Sequence, residues 1–113
     1  MRGMTLLQRV TEPTVDVLRV LLAAAEPVWG LRIVKATGLK AGSVYPILSR
    51  LEDGNWITGE WEAEGQRSGP RRRLYRLTEE GEREAAAIVA AFDEKARQAA
   101  ARVLRPQAHE GLA

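Results

Sequence analysis

Between Ala41 and Leu77 the apolar residues change period, and that change limits the folds open to the chain. Val44, Ile47, Leu48 and Leu51 recur at helical spacing, which predicts a helix over about Ala41 to Asp53, closed by Gly54-Asn55. From Trp56 to Glu62 the pattern alternates. Ile57, Gly59 and Trp61 fall on one face and Thr58, Glu60 and Glu62 on the other, the signature of a half-buried strand. Ala63 to Arg73 carries Gly65, Gly69 and Pro70 and reads as a loop, and Arg73 to Leu77 as a returning strand. A helix is thus followed by a hairpin with a charged tip.

Two further helices are expected before this unit. Val15, Leu18, Leu21, Leu22 and Ala25 share one face of a helix over Thr14 to Ala25, with Thr11 or Thr14 as cap and Pro13 at its start. Glu26-Pro27 ends it, because the residue before a proline avoids the α region. Val28 to Thr37 reads as a short second helix with Leu31, Val34 and Ile33 inward, Trp29 as a core or staple aromatic, and Gly38 as its left-handed terminator. A helix, a short Gly-containing turn and another helix make a helix-turn-helix, and a basic hairpin beside it makes a wing. The fold class expected is mainly α (α+β): a winged helix-turn-helix over residues 14–77 with a two-stranded wing.

On a helical wheel the outer face of the Ala41–Asp53 helix carries Gly42, Tyr45, Pro46, Ser49 and Asp53, with Ser43 and Arg50 flanking and Lys40 just ahead. A slim, polar face of this kind suits a major groove. Pro46 forfeits a hydrogen bond to the Gly42 carbonyl if the helix starts at Ala41, and costs little if it starts at Ser43. The wing would add Arg67, Arg71, Arg72 and Arg73, suited to phosphates or the minor groove. The candidate DNA contacts are therefore Lys40, Ser43, Tyr45, Pro46, Ser49 and Arg50 in the helix and those four arginines in the wing.

Charge segregation supports the same partner. The net charge is only +2, yet residues 63–76 hold five Arg against one Glu, 5 − 1 = +4. With no Cys, and His109 as the only His, thiolate chemistry and Cys- or His-based metal sites are excluded or very poorly supplied. Glu79, Glu80, Glu82 and Glu84 crowd the start of the last helix, where the helix dipole favours acids, and nothing converges on them to make an acid–base site. No enzyme, cofactor or metal is expected. No apolar run approaches the roughly 18 residues of a membrane span, and the N-terminus lacks a signal-peptide layout, so a cytoplasmic location is expected.

Thr78 is the expected N-cap of a final helix running to about Leu104. Ile88, Val89, Phe92, Ala96, Ala99, Ala100 and Val103 lie on an apolar stripe too long for a domain of this size to cover alone. Residues 78–105 are expected to form a dimerisation helix packed on a second copy, the alternative being that the helix folds back on its own domain. Residues 1–13 are read as an extension and 106–113 as a disordered tail.

The run Gly42-Ser43-Val44-Tyr45-Pro46-Ile47-Leu48, followed by Arg50-Leu51-Glu52 and Gly54-Asn55-Trp56-Ile57, resembles the PadR family of bacterial transcriptional regulators. Trp29-Gly30, Gly69-Pro70-Arg71-Arg72-Arg73 and Tyr75-Arg76-Leu77-Thr78-Glu79-Glu80-Gly81 extend the resemblance over about residues 14 to 82. It implies a homodimer that binds a palindromic double-stranded DNA operator and usually represses transcription. It points to Ser43, Tyr45 and Pro46 in the helix and Arg71, Arg72 and Arg73 in the wing. Members that sense flat aromatic drugs can place a Trp in the last helix. Here Phe92 is the only aromatic there, which argues against such a pore, and a small-molecule effector stays open. A reading of another class is a winged-helix adaptor that binds protein and not DNA.

Overall fold

The computed structural model describes residues 10–65 and 67–104. Among them the chain forms four helices and three strands: α1 (Glu12–Ala23), β1 (Val28–Trp29), α2 (Gly30–Thr37), α3 (Ala41–Asp53), β2 (Ile57–Trp61), β3 (Arg73–Leu77) and α4 (Glu79–Leu104). The expected extension up to residue 9 and the tail from 106 lie outside the described residues.

Helix α1 begins two residues earlier than its periodicity suggests, because Thr11 is the cap: its Oγ1 accepts from the Thr14 N–H at 3.4 Å. Pro13 sits in the first turn, where a missing N–H costs nothing. The C-terminus of α2 is as expected, with Gly38 at φ 75° in the left-handed region. Its neighbour Thr37 donates to the Ile33 carbonyl at 2.9 Å and accepts from the Leu39 N–H at 3.2 Å, which shapes the turn into α3. At the end of α3 the left-handed residue is Asn55 (φ 66°), not Gly54.

Val28 and Trp29 do not belong to the second helix. They form a strand that pairs antiparallel with β3, Val28 opposite Tyr75 and Trp29 opposite Leu74. Pro27 sets an extended entry, and a β-branched residue followed by an aromatic fits an open sheet edge. The two-stranded wing, β2 on β3 with Gly59 opposite Tyr75 and Trp61 opposite Arg73, therefore widens at its base into a three-stranded sheet of order β1-β3-β2. Within α2 the buried residues are Gly30 and Ile33, with Leu31 and Val34 half-buried.

One core unites these elements. Val17, Leu18 and Leu21 of α1 meet Val44, Ile47, Leu48 and Leu51 of α3, closed by Trp56, Ile57 and Tyr75 from the sheet side. Helix α4 docks on this core through its first turns. Thr78 caps it, accepting from the Gly81 N–H at 2.9 Å, while the Thr78 N–H donates to the Trp56 carbonyl at 2.9 Å. Gly81 and Ala85 are buried, Ile88 and Val89 pack against the core, and Arg19 of α1 pairs with Asp93 at 2.6 Å. Beyond Phe92 and Asp93 every residue of α4 is exposed, ending with Val103 at 76% and Leu104 at 79%.

Candidate nucleic-acid interface

Helix α3 starts at Ala41 with Lys40 as its cap residue, so Pro46 lies inside it and the Gly42 carbonyl receives no N–H from that position. Val44, Ile47, Leu48 and Leu51 are buried, which leaves Ser43, Tyr45, Pro46, Ser49 and Arg50 exposed with Lys40 at the N-terminal end. All six helix residues expected to meet DNA thus lie on the accessible side of α3. Tyr45 is 40% exposed and leans towards α2: a β-carbon at Gly30 would stand 2.8 Å from its ring.

The four wing arginines are less alike than their sequence suggests. Arg71 is exposed and makes no salt bridge among the described residues. Arg67 curls back on its own loop, donating from Nη1 to the Ser68 carbonyl at 2.8 Å and from Nη2 to the Pro70 carbonyl at 2.7 Å. Its Nε lies 2.9 Å from Glu62 Oε1, an ion pair whose N–H is not aligned for a hydrogen bond. Arg72 stacks its guanidinium on Trp29, 3.8 Å from the ring centroid, and its buried Nε finds no hydrogen-bond partner among the described residues. Arg73 reaches the C-terminal turn of α3, where its Nη2 lies 2.8 Å from Glu52 Oε2.

The alternation of the sheet explains this split. Trp29, Arg72 and Leu74 share one face, and Ile57, Gly59, Trp61, Arg73 and Tyr75 share the other, which continues towards α3. Ile57 is buried at 1%, but Trp61 is 57% exposed because β2 runs out past the helices it began by packing on. Arg76, which charge counting noted without assigning a contact, is exposed on β3 opposite Thr58. On the Trp29 side an open groove of about 760 Å³ is lined by residues that include Pro27, Leu31, Arg32, Lys35 and Arg72. No group of acidic or His residues able to hold a metal occurs among the described residues. None of the described helices is long and apolar enough to cross a membrane.

The model of the PadR-like family of transcriptional regulators matches residues 17–87, from α1 through the wing into the docked part of α4. The chain belongs to that family. A PadR family transcription regulator from Clostridium difficile R20291 is similar at 31% identity, over 74% of this chain and 86% of its own, with a TM-score of 0.54. A PadR-like transcription factor from Bacteroides fragilis is similar at 26% identity, over 87% and 88% of the two chains, with a TM-score of 0.59. MepR of Staphylococcus aureus, a regulator of a multidrug efflux pump, shares the fold at 22% identity, over 97% and 77%, with a TM-score of 0.66. Among curated proteins none matches. PadR-like proteins are transcriptional regulators and not enzymes, so the helix and wing just described are the parts of a DNA-binding regulator. The family match ends at residue 87, before the bare half of α4.

Proposed function

We propose that the protein is a homodimeric repressor that binds a palindromic operator, with α3 in the major groove and the wing on the flanking backbone. The observation that carries this reading is the accessible side of α3. Ser43, Pro46, Ser49 and Arg50 are exposed together: Ser43, Pro46 and Ser49 are small enough for close approach, and Ser43, Ser49 and Arg50 can hydrogen-bond base edges, with Lys40 at their head. Lys40 and the exposed Arg71 supply the phosphate-directed charge, and Tyr45 borders the surface on the α2 side. Dimerisation is supported by α4. Its second half offers Ala96, Ala99, Ala100 and Val103 to solvent, small residues that let a second helix approach closely, whereas Ile88 and Val89 are already shared with the domain core and Phe92 is half-buried. At 26 residues α4 is about 39 Å long, enough to hold two reading helices apart on a duplex.

The test is selection of bound duplexes from a random pool. A two-fold symmetric consensus is expected, because half-site spacing mirrors the symmetry of the dimer. An unsymmetric consensus rejects the dimeric reading. Absence of enrichment, together with failure to bind heparin or random duplex at low salt, favours an adaptor that binds protein.

A further inference from the structure

The wing's arginines look interchangeable as phosphate ligands, but Arg73 is held by the protein from four directions. Its Nη2 lies 2.8 Å from Glu52 Oε2, across 21 residues of chain. Its guanidinium carbon stands 5.4 Å from the centroid of Trp61 and 6.0 Å from that of Tyr75. From the neighbouring strand Gly59 makes the room: a β-carbon there would sit 2.9 Å from both Nε and Nη2 of Arg73. The guanidinium fills the space a side chain on β2 would take. We propose that Arg73 is a positioning residue that latches the wing to α3 through Glu52, fixing the distance between wing tip and reading helix, and that it is not a phosphate ligand. The inference rests on the DNA-binding reading above and deepens it.

Two physical points favour a latch. The pair joins the two elements that must meet the duplex together, the last turn of α3 and the first residue of β3, so its geometry sets their relative angle. A phosphate seeking Arg73 would compete with a carboxylate already in contact and would have to leave Glu52 unpaired beside a polyanion. Arg71 is the internal contrast, exposed and without a carboxylate partner among the described residues.

The experiment compares Arg71→Ala, Arg73→Ala and Glu52→Gln with the wild type for binding to selected and to random duplex across a salt series. Arg71→Ala is expected to lower the salt slope by about one unit. Arg73→Ala should keep the wild-type slope and lower the preference for selected over random duplex on the order of tenfold, about 1.4 kcal/mol. Glu52→Gln separates the two roles: a latch predicts a similar loss of preference, whereas a phosphate ligand released from Glu52 predicts tighter binding to both duplexes. A slope in Arg73→Ala as low as in Arg71→Ala, or a preference untouched by Glu52→Gln, overturns the proposal. A wild type that binds neither duplex rejects the DNA reading itself. The latch is then judged in the free protein by a double-mutant cycle of Arg73→Ala with Glu52→Gln on urea unfolding, where coupling supports it and strict additivity overturns it.

Discussion

Gly30 lies beneath the ring of Tyr45: a β-carbon at Gly30 would stand 2.8 Å from Cε1 and 3.0 Å from the hydroxyl oxygen. The first residue of α2 is thus shaped to the side chain that borders the reading face of α3. The obstacle to a larger residue is the free end of a ring already 40% exposed, so it can swing outward. Gly30→Ala is therefore expected to change the urea midpoint little, since alanine also favours the helix by up to about 1 kcal/mol. The displaced ring should weaken binding to selected duplex by about 1–3 kcal/mol if Tyr45 meets a base. Combining Gly30→Ala with Tyr45→Ala should add nothing to the loss seen in Tyr45→Ala alone.

Gly81 presents the opposite case. A β-carbon there would fall 1.9 Å from the Trp56 carbonyl oxygen, and that atom is backbone in the joint between α3 and β2. It also accepts from the Thr78 N–H, so it cannot move without losing the start of α4. Gly81→Ala is expected to destabilise the fold by about 3 kcal/mol or more, the upper end for overpacking. Urea unfolding reads this directly; a loss under about 1 kcal/mol would mean that α4 docks by another route.

Burial pushes the Tyr75 hydroxyl above its ordinary value of 10.0, against the opposing pull of the nearby Arg73. The sign follows from linkage. A folded-state value above the unfolded one gives stabilisation that is complete below pH 10.0 and is lost as the pH rises through the folded-state value. Unfolding free energy should therefore fall more steeply above pH 10.0 in the wild type than in Tyr75→Phe. Parallel alkaline limbs would assign the loss to other groups.

The bare half of α4 makes a separable prediction about assembly. Ala99 and Val103 are exposed and far from the docked turns. Ala99→Glu and Val103→Glu should leave the urea transition of the monomeric domain in place and shift the sedimentation coefficient towards the monomer. A dimer that survives both changes would have to be built on another surface.

Much of the fold could be read locally. The limits of α3 follow from Val44, Ile47, Leu48 and Leu51, and the cap of α4 from Thr78, because helices are selected by side chains three and four residues apart. Strand β1 escaped such reading. Two residues carry no period, and Val28-Trp29 is a strand only because Tyr75 and Leu74, more than 40 positions away, offer it an edge. The helix face proposed for DNA was legible for the same local reason. The wing was legible only as charge: its composition shows four arginines, and nothing in their spacing separates Arg71 in solvent from Arg72 on Trp29 or Arg73 on Glu52.

The amino-acid sequence by itself determined the type of every element except β1, the buried face of α3, the basic hairpin and the family, all of which rest on periodicity and short motifs. Tertiary structure alone decided where each guanidinium goes, how much of α4 belongs to the domain core, and why positions 30, 59 and 81 carry glycine. Those outcomes depend on which atoms of distant segments occupy the same few ångströms, and proximity of that kind leaves no period along the chain.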